Sequence, residues 1–323
     1  MSQPVLAVVA AGAMGAAVGR RLTTAGLTVL TTLAGRSAST RKRAADAGLE
    51  DASLHDIVAR AHWTLSILPP SEAETFAKAF RDAHLQAAPT RPVGFADCNA
   101  VNPTTVKRIA ALFAGTPIKF VDAGIIGGPP QGDYDPVFYA SAAPEDSVEL
   151  DEFASLKKWG LNVKTLKGEG AGIGDASALK MSYAGITKGI IGICTTMILS
   201  AHASSPATAN ALLHELSDSQ PVILKRIIGS TPGMLPKAYR WVGEMEEISA
   251  FVADGLSQAG TPSATSTQIE GAGEGLTHLG LARLYERIAK RLKESEERGE
   301  DLGEIRALKE FVKDAKEVVE PKN

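Results

Sequence analysis

Two short stretches carry residue types that could do chemistry. The first is Ala10-Ala11-Gly12-Ala13-Met14-Gly15, a small-residue turn placed after the apolar run Val5–Val9 and before a helical stretch, Ala16–Ala25. A strand, a glycine turn and a helix in that order form the context in which backbone amides and a helix N-terminus cradle a dinucleotide pyrophosphate. Gly12 would admit the pyrophosphate to the backbone, Ala13 and Met14 belong to the same cofactor-binding turn, and Gly15 would let helix and strand pack closely. Ala10 stands where the usual motif has its first glycine. The second stretch is Gly168–Ser200, in which four spaced glycines lead at Asp175 into a long apolar run broken by Lys180. A charge one turn into a buried helix is costly unless it faces a cleft or a partner, so Lys180 is the natural candidate for a working side chain.

The turn that follows the second expected strand, Thr28–Leu33, bears on which dinucleotide is bound. An acidic residue about 20 positions beyond the glycines would accept the ribose 2′-hydroxyl of NAD. The chain instead reads Leu33-Ala34-Gly35-Arg36-Ser37 and continues to Arg41-Lys42-Arg43 with no acid. Arg36 and Ser37, with Arg41 nearby, suit a 2′-phosphate, so NADP is expected and NAD is disfavoured.

These residues need a scaffold, and the alternation of patterns supplies one. Expected strands at Trp63–Leu68, Val93–Ala96, Ile118–Val121, Val137–Ser141 and Val163–Leu166 alternate with helical stretches, which implies a doubly wound parallel sheet with its ligands at the strand carboxyl ends. Leu68-Pro69, Asn99 and the Gly127-Gly128 pair fall at such ends. A helix beginning with Asp175 as its cap and running to Ser200 would be ~39 Å long, enough to bridge two bodies. Beyond it only helical patterns recur, at Ala207–Leu216, Pro221–Ile228, Lys237–Ala253 and Thr267–Arg291. A charged tail, Lys293–Lys322, reads as one solvated amphipathic helix with Leu302, Ile305, Leu308 and Phe311 on its inner face. The expected organisation is an α/β Rossmann-type domain, 1–172, followed by an all-α domain, 173–323, the two joined by the long helix.

Bulk properties narrow the function. A net charge of −3 leaves no footprint for nucleic acid or an anionic membrane. Two cysteines far apart, Cys98 and Cys194, suit a reducing cytoplasm and not a disulfide framework. The six histidines show no metal-ligand spacing, so no metal is expected. Met181–Leu199 approaches the length of a membrane span, but Lys188 and several Gly and Thr residues interrupt it, favouring a core helix of a soluble protein.

In chain order the GxMG turn, Leu68-Pro69-Pro70, Asp97 with Pro103, Asp122-Ala123 before Gly127-Gly128, and Gly174 followed by Lys180 resemble the β-hydroxyacid dehydrogenases, relatives of 6-phosphogluconate and 3-hydroxyisobutyrate dehydrogenases. The second half, with Ser177–Met181, Pro236–Trp241 and Glu244–Glu247, resembles the branch described as putative phosphogluconate dehydrogenase, NAD-binding, C-terminal domain. The resemblance spans about residues 4–290. It implies hydride transfer between a nicotinamide and a carbonyl or alcohol, with Lys180 as general acid/base. It further implies Leu68, Pro69 and Asn99 at the cofactor, Gly127 and Gly128 holding the acidic end of a small-molecule substrate, and an intertwined homodimer. Three positions depart from the family. Ile126 replaces a serine, Ala184 replaces an asparagine one turn after Lys180, and Asn99-Ala100 replaces a Ser-Thr pair. These favour a bulkier or less acidic carbonyl, for which Tyr183 and Tyr239 are candidate replacement donors. Imine reduction and cofactor sensing without turnover are the alternative activities.

Overall fold

The computed structural model describes residues 3–259 and 270–320, and the chain divides into two compact units, 1–183 and 184–323. The first unit holds a single eight-stranded sheet in the order β3-β2-β1-β4-β5-β6-β7-β8. Its strands are β1 (Leu6–Val9), β2 (Val29–Thr31), β3 (Glu50–Asp51), β4 (Trp63–Ser66), β5 (Val93–Asp97), β6 (Ile118–Ile126), β7 (Val137–Ser141) and β8 (Asn162–Thr165). The central strands β1, β2, β4, β5 and β6 are largely apolar and buried, as expected of strands covered on both faces. The helices α1 (Ala13–Thr24), α2 (Ala38–Asp46), α3 (Leu54–Arg60), α4 (Pro70–Ala87), α5 (Pro103–Ala111) and α6 (Ser147–Ala154) supply the crossovers and cover.

Side-chain direction along the strands sorts the core into two layers. On one face Leu6, Val8, Leu65 and Phe138 pack with Val18 and Leu22 of α1 and Phe153 of α6, where Trp63 meets Phe153 edge-on. On the other face Phe76, Phe80, Phe95, Phe113 and Phe120 form a chain of ring contacts beneath α4 and α5. Gly94 lies inside β5 because a Cβ there would overlap the Trp63 indole.

Two features differ from the expected all-parallel sheet. β6 does not stop at Val121 but continues through Asp122, Gly124 and Ile125 to Ile126, and β7 pairs with it antiparallel. The sequence pattern places the strand end at Asp122 because an acid after an apolar run suggests exposure. Here that acid is buried at 1% exposure and held by several hydrogen bonds, so the strand does not end there. The small β3 has no sequence signal, since Glu50-Asp51 lacks an apolar pattern; it pairs along the sheet edge with β2, and the Asp51 carboxylate accepts from the Leu33 amide at 3.0 Å.

A 30-residue helix, α7 (Asp175–Ser204), begins in the first unit and continues into the second. The division between units follows Tyr183 and not residue 172, because the first turns of α7 are bonded to the sheet. The second unit adds α8 (Pro206–Ser219), α9 (Pro221–Met234), α10 (Ala238–Ala259), α11 (Glu270–Arg298) and α12 (Gly303–Val319). Each helix expected there is present with longer bounds; residues 267–269 of the expected fourth helix lie outside the described residues. The tail forms the end of α11, a break at Gly299 and α12, which is amphipathic as expected: Ile305, Leu308 and Phe311 are buried with Val312 while its polar face is exposed, and Leu302 is the half-buried residue before the helix. Inside this unit Lys188 pairs with Glu244 and lies 5.3 Å from the Trp241 ring centroid, and the Tyr285 hydroxyl donates to the Lys188 carbonyl at 2.6 Å. Burial lowers the Lys188 pKa against the opposing pull of Glu244.

Candidate active site

The turn after β1 is open where a ligand would approach and closed where the protein needs it closed. A Cβ built on Gly12 meets nothing within 4 Å, whereas one on Gly15 would overlap the Ala10 carbonyl. Gly12 is the N-cap of α1 and provides no side-chain cap, which leaves the first helical amides for an external acceptor. Ala13 and Met14 form the first turn. Nearby, the Arg43 guanidinium reaches the Ala11 carbonyl at 3.4 Å. A cavity of about 420 Å³ runs from Ala13 along the outer face of α1 between Arg20, Arg43 and Gln131. Arg43 has no distinguishing sequence signal because it lies in the last turn of α2, inside a run that looks like ordinary solvated charge.

After β2, Arg36 lies within 3.3 Å of Glu72, a partly exposed pair. Ser37 is the N-cap of α2, its hydroxyl accepting from the Thr40 amide at 3.3 Å. Arg41 turns back to the Leu33 carbonyl at 2.6 Å. The 33–41 turn is therefore shaped by its own polar groups, with one guanidinium, Arg36, tied only to another side chain. Across the sheet Leu68 donates its amide to the Asn99 side chain at 2.6 Å, and the Asn99 side-chain amide donates to Ser66 at 3.0 Å. Asn99 thus fastens the ends of β4 and β5 together, while Pro69 caps α4.

The second focus is the junction of β6 with α7. Helix starts leave four amides without partners, and around the start of α7 three amides are met by side chains from β6 and β7. The Asp122 carboxylate accepts from the amides of Gly174 (3.0 Å) and Ser177 (3.0 Å) and from the Ser177 hydroxyl (2.8 Å). The Ser141 hydroxyl donates to Asp122 at 3.2 Å and accepts from the Ala176 amide at 3.1 Å. Asp175, expected to cap α7, instead turns back to the Gly172 amide at 2.7 Å. Burial raises the Asp122 pKa to about 6 against the opposing effect of these donors. Gly124 completes the junction: a Cβ there would lie 2.8 Å from the Ala176 carbonyl and 3.1 Å from the Lys180 Cβ. So clamped, α7 sets Lys180 against β6, and its Nζ donates to the Ile125 carbonyl at 2.6 Å.

Gly127 and Gly128 follow directly. The Gly128 amide donates to the Tyr134 hydroxyl at 3.1 Å. Tyr183 and Tyr239 are exposed, the first in one unit and the second in the other. Ile126 is half-buried and Ala184 is buried. Among the described residues no group of three or more His, Cys, Asp or Glu side chains could hold a metal ion.

Residues 5–164 match the NAD binding domain of 6-phosphogluconate dehydrogenase. This segment is an NAD-binding domain of the 6-phosphogluconate dehydrogenase type. Residues 203–294 match a domain of unknown function, DUF1932. No curated protein sequence matches significantly. Among solved structures, the conserved protein MTH1747, described as structurally similar to 3-hydroxyacid dehydrogenases, is 23% identical over 91% of this chain and 99% of its own, with a TM-score of 0.59. Mycobacterium tuberculosis 3-hydroxyisobutyrate dehydrogenase with L-serine is 16% identical over 96% and 99%, with a TM-score of 0.54. An imine reductase from Myxococcus stipitatus in complex with NADP+ is 17% identical over 96% and 100%, with a TM-score of 0.51. At these identities the likeness is one of fold: a Rossmann-type sheet followed by an all-helical region.

Proposed function

We propose that the protein is an NADP(H)-dependent oxidoreductase of the β-hydroxyacid dehydrogenase type that interconverts a carbonyl and an alcohol, with Lys180 as the general acid/base. The observation that carries this reading is the β6–α7 junction, where a buried Asp122 clamp and Gly124 press Lys180 against the Ile125 carbonyl. Four long-range bonds converging on one helix start point to a lysine whose position matters.

The residues present fit a dinucleotide. Gly12 leaves open space at an uncapped helix start, which suits the pyrophosphate, and Arg36 is free to exchange a partly exposed partner for a 2′-phosphate. The nicotinamide, when bound, supplies or accepts the hydride. The chain moves the proton: the Ile125 carbonyl fixes the lysine amine, which protonates the substrate oxygen in reduction and takes the proton back in oxidation. Leu68, Pro69 and Asn99 line the cofactor in this reading, and Gly127, Gly128 and Tyr183 the substrate. Unbridged Cys98 and Cys194 suit a cytoplasmic setting.

A homodimer is part of the same proposal. On α7, Tyr183, Ile186, Ile190, Ile193 and Met197 are 42–65% exposed at alternating spacings of three and four, the stripe of a helix that packs against a second helix. A self-similar seam of this kind is matched by a second copy of the chain. The helix is also long and apolar enough to cross a membrane by length and composition. Sedimentation of the purified protein, with and without liposomes, separates these outcomes. A dimer that Ile190→Glu dissociates supports the proposal, and a monomer or liposome flotation overturns it.

The deciding experiment is a fluorescence titration with NADPH and NADH on the wild type and on Arg36→Ala, followed by turnover with 3-hydroxy acids, their esters and cyclic imines. Tight NADPH binding that weakens in the variant, and turnover lost in Lys180→Ala with NADPH affinity kept, are the expected results. Absence of binding by either cofactor ends the enzyme reading, and turnover of imines alone moves it to imine reduction.

A further inference from the structure

The loop after β6 folds back on itself and delivers a side chain that family reasoning does not supply. Gln131 and Tyr134 pair through two backbone bonds of 3.1 and 3.0 Å. Arg21 of α1 pins the tip, donating to the Gly132 carbonyl at 2.8 Å and meeting Asp135 at 2.8 Å. The Tyr134 ring is thereby laid over the glycine pair. Its oxygen accepts from the Gly128 amide, and Gly127, at φ +133°, must lack a side chain because a Cβ would overlap the phenol oxygen. The oxygen having accepted from Gly128, its own proton points elsewhere, and among the described residues it meets no acceptor. Tyr134 is half exposed.

We propose that the Tyr134 hydroxyl binds a neutral oxygen of the substrate, taking the part left empty by Ile126, and that it selects an uncharged acceptor over a carboxylate. The inference rests on the reading of this chain as a carbonyl/alcohol oxidoreductase and refines its substrate class. Charge sets the preference. The tip carries Asp133 and Asp135, and Arg21, the cation bonded to it, has its guanidinium already engaged with Asp135. A carboxylate arriving at Tyr134 would meet two flanking loop carboxylates whose bonded cation, Arg21, is already engaged, whereas an ester, amide or hydroxyl oxygen meets a donor already polarised by the Gly128 amide.

The test reads the phenol directly. Protein labelled with 3-fluorotyrosine has five tyrosine resonances, and the Tyr134 signal is assigned by its loss in Tyr134→Phe. The labelled protein is saturated with NADP+ and titrated with methyl 3-hydroxypropanoate and, separately, with sodium 3-hydroxypropanoate. A saturable shift of the Tyr134 signal with the ester, at an at least tenfold lower concentration than with the acid, is the expected result. No shift with either compound, or a shift with the acid at equal or lower concentration, overturns the proposal. In turnover, Tyr134→Phe should raise KM for the ester about tenfold while NADPH affinity and melting temperature stay unchanged. A fall in melting temperature and NADPH affinity together with KM marks a purely structural tyrosine and overturns it also. Absence of any turnover by the wild type counts against the enzyme reading alone, since the resonance still reports on Tyr134.

Discussion

The protein has two glycine turns at the carboxyl ends of its sheet, and they use glycine for opposite reasons. In the turn after β1 the demand at Gly15 comes from backbone, the Ala10 carbonyl, while Gly12 faces open space. In the turn after β6 the demand at Gly127 comes from a side chain, the Tyr134 hydroxyl, and the Gly128 amide is already engaged. One turn is built to receive something from outside, and the other has received part of its own chain. Glycine in a sequence motif marks close approach, but the approaching partner is visible only in three dimensions.

The largest expected effect comes from setting the two glycines of the first turn against each other. Gly15→Ala forces a methyl into the Ala10 carbonyl and should cost about 3 kcal/mol of stability, abolishing NADPH binding with it. Gly12→Ala has room within the protein and ordinary backbone angles, φ −69° and ψ −171°, so stability should change by less than about 1 kcal/mol. Its methyl would nonetheless occupy the approach of a pyrophosphate, and NADPH affinity should fall more than tenfold. Thermal melts beside the titration give both readouts. If Gly12→Ala binds NADPH like the wild type, the turn is structural only.

Asp122 sharpens the contrast between local and distant design. Asp122→Asn places an amide group among donors at Gly174, Ser177 and Ser141, and should destabilise the protein by about 2–4 kcal/mol. The effect depends on pH. The folded carboxyl titrates at about 6 and the unfolded one at 3.8, so the native state holds the extra proton between these values. This group therefore contributes most below pH 4, and its contribution falls as pH rises to 6, by about 3 kcal/mol in all. Urea denaturation should show the gap between wild type and Asp122→Asn narrowing from pH 4 to pH 6. A gap that is flat or widens would mean that the hydrogen bonds, not burial, govern this carboxyl.

The same contrast explains what the sequence discloses. The β1–turn–α1 unit is readable because strand, glycines and helix are contiguous, and the all-helical second half is readable from periodicity. The clamp on α7 is not, because Asp122 meets partners 19, 52 and 55 residues away. An acid expected to end a strand instead caps a helix, and Asp175, the local candidate for that cap, serves Gly172. Tyr134 is hidden for a related reason: in Gly132-Asp133-Tyr134-Asp135 it reads as a polar loop tip until Arg21 folds the loop. Lys180 stands out through its anomaly, a charge in an apolar run, although its partner, the Ile125 carbonyl, carries no sequence signal at all.

The smallest effect concerns a residue that neither glycine turn uses. His84 on α4 is 3% exposed and neither ring nitrogen has a hydrogen-bond partner, so burial lowers its pKa below the usual 6.5. The sign is opposite to that of Asp122. The native state binds the proton less tightly than the unfolded chain, so stability from this group is present above pH 6.5 and is lost as pH falls. His84→Leu removes two unsatisfied polar atoms at similar volume and should match the wild type within about 1 kcal/mol at pH 8. Below pH 6 the variant should be the more stable of the two, and the crossing is measurable by urea denaturation at three pH values. A constant difference across that range would mean that the imidazole is solvated or bonded in the native protein. The fold of α4 over the phenylalanine layer would then be looser than its packing implies.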